Sequence, residues 1–147
     1  MGAPICGNHM DVKIYNFPPH GDDRGQLVAI ETGKDIPFPI RRVYYIYDTL
    51  TDVRRGFHAH RNLEQILICV SGSCKIHLDD GSSTAEVVLD DPTKGLYIAN
   101  DMWREMYDFS EGAVLLVLAS QYYDEADYIR NYDAFMQMIK ERKDGAQ

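Results

Sequence analysis

No stretch of the chain stays apolar for the length of a membrane span. Its first residues carry neither the basic region nor the apolar core of a secretory signal. These two absences give a cytoplasmic protein as the expectation. Basic charge is also scarce: 15 Lys and Arg stand against 23 Asp and Glu, for a net charge of −8. That balance argues against a nucleic-acid surface, because phosphate backbones are held by clustered Lys and Arg. It does not exclude a small nucleotide-linked molecule, for which a few local arginines suffice. Cysteine is sparse and odd in number: Cys6, Cys69 and Cys74, with no C-x-x-C pair. A disulfide scaffold and a zinc finger are both poor readings. Cys69 and Cys74 read instead as small buried strand residues in a reducing compartment. Internal repeats, low-complexity stretches and any hexapeptide period are missing as well.

What is present is ordinary for a folded chain: 45% hydrophobic and 26% charged residues over 147 positions. That length predicts one domain with a substantial core, over residues 11–147. Residues 1–10 contain Gly and Pro without strand periodicity and read as a leader, disordered or foreign to the domain. From residue 11 the chain is a succession of short extended segments. Val12 to Phe17 is stopped by Pro18-Pro19, which cannot donate to a ladder. His20 to Gly25 reads as a polar turn, and Gln26 to Ile30 as a second strand. Ile40 to Tyr47 is β-branched and aromatic, and it alternates Arg42, Tyr44 and Ile46 against Val43, Tyr45 and Tyr47. Leu63 to Val70 and Ser73 to Leu78 follow. Asp79-Asp80-Gly81 is a turn, since Asp and Gly tolerate positive φ. Ala85 to Leu89, Gly95 to Ala99, Glu105 to Phe109 and Val114 to Ala119 complete about nine or ten strands, the pattern of a sandwich or barrel. Without helical crossovers, a parallel α/β sheet is disfavoured. Only Asp127 to Lys140 has helical spacing, with Tyr128, Tyr132, Phe135 and Ile139 in a stripe that reads as packing on the barrel.

The chemistry concentrates in Arg55-Gly56-Phe57-His58-Ala59-His60-Arg61-Asn62-Leu63-Glu64-Gln65. Two histidines separated by one residue share a face if the segment is extended. Imidazoles aimed the same way serve either a metal or proton transfer.

His58-x-His60-x-x-x-Glu64, with Gly72 beyond it, resembles the first motif of the cupin superfamily of small double-sheet barrels. In metal-binding cupins these three side chains and a later histidine hold the ion. The corner where that histidine is expected reads Asn100-Asp101-Met102-Trp103-Arg104-Glu105, and arginine cannot ligate. A closer resemblance is carried in order by several segments. They are Arg41 to Asp48, Arg55 to His60, Leu63-Glu64-Gln65, Gly72-Ser73-Cys74, Leu78 to Gly81, Gly95-Leu96-Tyr97, Trp103-x-Glu105-Met106, Leu118-Ala119-Ser120 and Tyr122 to Arg130. Over roughly Asp11 to Lys140 these look like the cupin sugar 3,4-ketoisomerases acting on dTDP-4-dehydro-6-deoxy-D-glucose. Arg104 departs from relatives with histidine between the Trp and the Glu.

The resemblance implies an all-β fold, a small cupin or jelly-roll double-sheet barrel closed by a C-terminal helix. It implies an isomerase without metal or other cofactor, moving a carbonyl from C4 to C3 through an enediolate and feeding a transaminase in amino-sugar synthesis. It makes His58 the expected C3 base and His60 a second proton carrier. Tyr44 becomes a partner of the sugar oxygens or the returning acid, and Arg24 a contact to the diphosphate or enediolate. Arg42, Arg55, Glu64, Trp103 and Glu105 are implied to bind substrate. A homodimer exchanging the N-terminal strand is implied too.

Plainer readings stand beside each of these. The histidines could be a satisfied core pair, Tyr44 packing, the arginines ion-pair partners, Glu64 an orienting group, and Trp103 core as readily as a thymine platform. His77 opposes Ile76 and Leu78 and reads as exposed or interior-polar. Two other functions share the scaffold: a cupin 3,5-epimerase on a nucleotide sugar, and a non-enzymatic or metal-dependent cupin.

Overall fold

The structure, a computed structural model, describes residues 10–145. The elements in order are β1 (Lys13–Asn16), β2 (His20–Asp22), β3 (Gly25–Leu27), β4 (Arg42–Ile46), β5 (Arg55–His60), β6 (Gln65–Ser71) and β7 (Cys74–Asp79). They continue as β8 (Thr84–Leu89), β9 (Lys94–Ile98), β10 (Trp103–Tyr107), β11 (Val114–Ala119), β12 (Tyr128–Ile129) and α1 (Tyr132–Gly145). Two five-stranded antiparallel sheets, ordered β1-β9-β6-β11-β4 and β12-β5-β10-β7-β8, face each other. Between them lies one core that takes Leu67 and Cys69 from β6, Leu96 and Ile98 from β9, and Leu115 and Val117 from β11. The facing sheet supplies Cys74, Ile76 and Leu78 from β7, with Met106 from β10. Strand alternation makes this possible, because every second side chain turns inward.

Strand β6 is buried on both faces, which is why Ile66 to Cys69 is continuously apolar in the sequence. Its inner side joins the common core. Its outer side, Ile66 and Ile68, is covered by Phe17, Ile36 and Phe38. The loop before β4 thus acts as an apron over the first sheet. The second sheet is covered by α1, whose Phe135 and Met138 pack on Trp103, Ala59 and Ile129. Cys69 and Cys74 are free thiols in the core, as their sequence context suggested. Cys6 lies outside the described residues, as do positions 1–9 of the expected leader.

Three boundaries differ from the sequence reading. The polar stretch at His20 is itself a strand: β2 and β3 form a hairpin whose residues are all exposed, and Val28 to Ile30 belongs to the apron. The strand expected at Glu105 begins at Trp103 and ends at Tyr107, because Asp108 takes a positive φ of 55° that breaks the extended chain. The helix expected from Asp127 begins at Tyr132. Tyr128 and Ile129 pair with His60 and Ala59 on the free edge of β5, and sheet pairing overrides the helical period there. Asn131 then caps the helix, its side-chain oxygen accepting from the Ala134 amide at 2.9 Å. Tyr128 therefore leaves the helical stripe.

Phe135 is fully buried under that helix. Replacing it by alanine should cost about 3–5 kcal/mol of stability. Urea unfolding of Phe135→Ala measures the loss, and a loss below about 1 kcal/mol would mean α1 does not hold the sheet.

Candidate active site

At one end of the space between the sheets is a cavity of about 480 Å³ lined by Arg42, Tyr44, Arg55, His58, Tyr128 and Arg130, among others. Alternation selects most of its walls. On β4 the inward residues are Arg42, Tyr44 and Ile46, while Val43 and Tyr45 are left exposed. On β10 the inward residues are Arg104 and Met106. On β5, Gly56 and Phe57 both take positive φ, 93° and 56°, and the pairing with β10 slips between Arg104 and Glu105. This bulge re-aims the strand just before His58. Gly56 is required there: a Cβ would meet the Arg104 carbonyl oxygen at 3.0 Å.

The bulge also determines the protonation of His58. Its Nδ1 lies 3.1 Å from the Gly56 carbonyl oxygen, which can only accept. Nδ1 therefore carries the hydrogen, and Nε2 is left with its lone pair. Burial first, then the Arg104 cation, pull the His58 pKa down from 6.5 to about 4. His58 is thus a neutral imidazole with a free acceptor nitrogen in a cavity wall.

His60 stands one layer deeper, at 1% exposure, with its ring edge-on to His58 at 4.9 Å between centroids. Its Nδ1 meets a carboxylate oxygen of Asp127 at 3.1 Å, and Asp127 is itself held by the Asn62 amide at 2.7 Å. Burial and again Arg104 depress its pKa to about 2. Its Nε2 has no partner among the described residues.

Behind both imidazoles lies Arg104, with no solvent exposure. Its Nε donates to the Met102 carbonyl at 3.1 Å and Nη1 to Gln65 Oε1 at 2.5 Å. Gln65 Nε2 in turn donates to the Tyr44 hydroxyl at 3.0 Å. Burial lowers the Arg104 pKa only to about 10, so the group remains a cation at neutral pH. Tyr44 is itself raised by burial, with Arg104 pulling the other way.

Four expected site residues are thus in the cavity wall: His58, Tyr44, Arg42 and Arg55. His60 is adjacent to it. The remaining four are placed elsewhere. Arg24 is at the turn of the exposed β2–β3 hairpin, forked onto Asp22. Glu64 accepts from the Tyr97 hydroxyl at 2.5 Å, and Tyr97 packs on the outer cluster of the first sheet. Trp103 and Glu105 alternate outward from Arg104; Trp103 packs under α1 and donates from Nε1 to Glu105, which also pairs with Arg54. Because Glu64 turns from the histidines, the His-x-His-x-x-x-Glu motif does not converge, and no three His, Cys, Asp or Glu among the described residues form a metal-ligand group. His77 pairs with Glu86, partly exposed, on the second sheet.

Sequence reasoning gave no site role to Gln65, Asp127, Tyr128 or Arg130. Asp127 opens the stretch of helical spacing and Tyr128 lies in its stripe, and only the pairing of β12 with β5 puts them against the histidines. Arg104 was noted as a departure, and its signal was its place between two outward-facing residues on an alternating strand.

The chain matches the family model described as FdtA, WxcM-like, C-terminal, over residues 10–140. It is 55% identical over 130 residues to the TDP-4-oxo-6-deoxy-alpha-D-glucose-3,4-oxoisomerase of Aneurinibacillus thermoaerophilus, covering 88% of this chain and 94% of that one. Its fold is similar to the crystal structure of a 3,4-ketoisomerase from Helicobacter canadensis, with a TM-score of 0.86 and 55% identity, covering 90% and 99% of the two chains. It is similar too to QdtA, a sugar 3,4-ketoisomerase from Thermoanaerobacterium thermosaccharolyticum solved with TDP. There the TM-score is 0.87 and the identity 51%, over 89% and 96%.

The depressed histidines couple protons to folding. Between pH 6.5 and 4 the unfolded chain binds protons that folded His58 refuses, so stability should fall as pH drops through that window. By NMR, the His58 ring, assigned by its loss in His58→Asn, should still be neutral at pH 5.5. Arg104→Met should move its midpoint up; a wild-type midpoint at 6.5 would contradict the assigned environment.

Proposed function

The chain belongs to the FdtA family of WxcM-like, C-terminal domains, and from that premise we propose that it is a nucleotide-sugar 3,4-ketoisomerase. It converts dTDP-4-dehydro-6-deoxy-D-glucose to the corresponding 3-dehydro sugar. The observation that supports this most is the His58 ring: neutral, tautomerically fixed by Gly56, and facing Tyr44 across a cavity with arginines.

The reaction needs only protons moved. The ketone at C4 acidifies the hydrogen at C3, and Nε2 of His58 accepts it. The electrons of that C–H bond become the C3–C4 double bond of an enediolate. Protons then arrive at C4 and at its oxygen, which becomes a hydroxyl, the oxygen at C3 loses its hydrogen, and the carbonyl forms at C3. The sugar neither gains nor loses electrons or heavy atoms; only hydrogens are exchanged. A positioned base typically contributes about 10²–10⁴-fold, and donors aimed at the developing oxyanion supply about 10²–10³-fold more. Tyr44 is a wall group able to donate to that oxygen. His60, one layer deeper, bears on His58 through its ring and is the second carrier only where water connects its Nε2 to the cavity. Arg42, Arg55 and Arg130 gather positive charge at the cavity in an otherwise acidic chain, which suits a diphosphate.

The dimer belongs to this reading. Strand β1 pairs with β9 of its own chain, Lys13 opposite Tyr97 through Asn16 opposite Lys94. Strand exchange would repeat that register on a partner's β9. The exposed hairpin β2–β3, with Leu27 at 59%, and the exposed Val43 and Tyr45 of edge strand β4 support a covered surface. Arg24 reaches a sugar diphosphate only if the hairpin meets a second copy. No helix among the described residues is long and apolar enough to cross a membrane.

Incubation with dTDP-4-dehydro-6-deoxy-D-glucose in deuterated buffer with EDTA should give, by NMR, a carbonyl at C3 with deuterium at C4. An inverted stereocentre with the ketone still at C4 would indicate the epimerase instead. His58→Asn should lower turnover by about 10²–10⁴-fold and abolish deuterium entry; full exchange in that variant would move the base elsewhere. Light scattering should give twice the chain mass, and a monomer would reject the exchanged dimer.

A further inference from the structure

We propose that Gln65 is a positioning residue that, held by Arg104, fixes Tyr44 as a proton donor to the substrate; this rests on the ketoisomerase reading above. Gln65 and Arg104 are at 1% and 0% exposure, so neither can exchange partners with water. An arginine can only donate. The group facing Nη1 of Arg104 at 2.5 Å must therefore be the Gln65 carbonyl oxygen, which settles which end of the amide is which. The NH₂ end then points at the Tyr44 hydroxyl at 3.0 Å, and the phenol oxygen has to accept. Its own hydrogen has no acceptor among the hydrogen bonds of the described residues, while the ring lines the cavity. The chain Arg104→Gln65→Tyr44 thus runs in one direction, from a buried cation towards the sugar.

The direction matters in the reaction. As negative charge grows on the substrate oxygen, the Tyr44 O–H bond breaks and the hydrogen bonds to that oxygen. The electron pair stays on the phenolate, where the Gln65 NH₂ still donates and the Arg104 charge stands behind. That proton stays on the sugar as the C4 hydroxyl, and the phenolate is reprotonated by the hydrogen that the C3 hydroxyl releases as the carbonyl forms at C3. A glutamine is needed because it accepts at one end and donates at the other. Glutamate has the same shape but accepts at both.

That difference provides the test. Gln65→Glu puts a carboxylate against Arg104, so thermal stability should hold or rise, but Tyr44 then donates to the carboxylate rather than the sugar. Its kcat should fall by about 10²–10³-fold, the size of one lost oxyanion donor, with KM changed less than about threefold. Gln65→Met leaves the Tyr44 hydrogen unengaged and should lose less kcat, although it strands the Arg104 cation and should be the less stable protein. In a Tyr44→Phe background neither substitution should lower kcat further. A packing role gives the reverse order, Met worse than Glu, with losses that persist at full size without the Tyr44 hydroxyl; either result overturns the proposal. If Gln65→Met does not fold, the Glu variant in the two backgrounds decides alone. A wild-type protein that leaves the carbonyl at C4 would reject the ketoisomerase reading itself. Additive losses in an active wild type would reject only the role of Gln65.

Discussion

A guanidinium with no solvent exposure dominates this molecule. Arg104 projects from β10 of one sheet and is held by Gln65 on β6 of the other, so a single cation ties the two layers together. An unpaired buried charge costs several kcal/mol, at least about 3, and fixed acceptors offset that cost. Here the acceptors are a main-chain carbonyl and one amide oxygen. Burial first, and then this positive charge, keep both imidazoles neutral, while the charge offsets part of the rise that burial gives Tyr44. Burial and this one charge therefore act together on the imidazoles, and they act against each other on Tyr44.

The fold exists around that arrangement in layers. Outside the first sheet lies the apron of Phe17, Ile36 and Phe38; outside the second lies α1. Both coverings free the inner faces to form a core and a polar end. The bulge at Gly56–Phe57 and the short strand β12 then make the cavity's special features. The first supplies the acceptor that fixes the His58 tautomer, and the second carries Asp127 and Tyr128 to the histidines. Neither feature adds to the core; both determine where hydrogens sit.

Much of this was legible in the residues. Alternation in Arg42 to Tyr47 grouped Tyr44 with Arg42 and Ile46 on one side, and the spacing of His58 and His60 put them on one face. Alternation also separates Arg104 from Trp103 and Glu105, and the structure accordingly places the latter two outside the cavity wall, under α1 and against Arg54. Asp127 and Tyr128 were different. Their helical spacing is genuine, and it lost to an unpaired strand edge that no local pattern announces. Glu64 and Arg24 likewise looked available until Tyr97 and Asp22 were found holding them.

By itself the sequence determined the class of fold, most of its strands in chain order and the pair of imidazoles, because period-two alternation and turn chemistry are local properties. Only the tertiary structure decided which nitrogen of each histidine carries its hydrogen, which end of Gln65 faces Tyr44, and which charged residues meet in one cavity. The Gly56 carbonyl that fixes His58 is only two positions away but is aimed by the bulge against β10, and the other partners are 21 to 67 positions away, brought within hydrogen-bond reach only when the two sheets close.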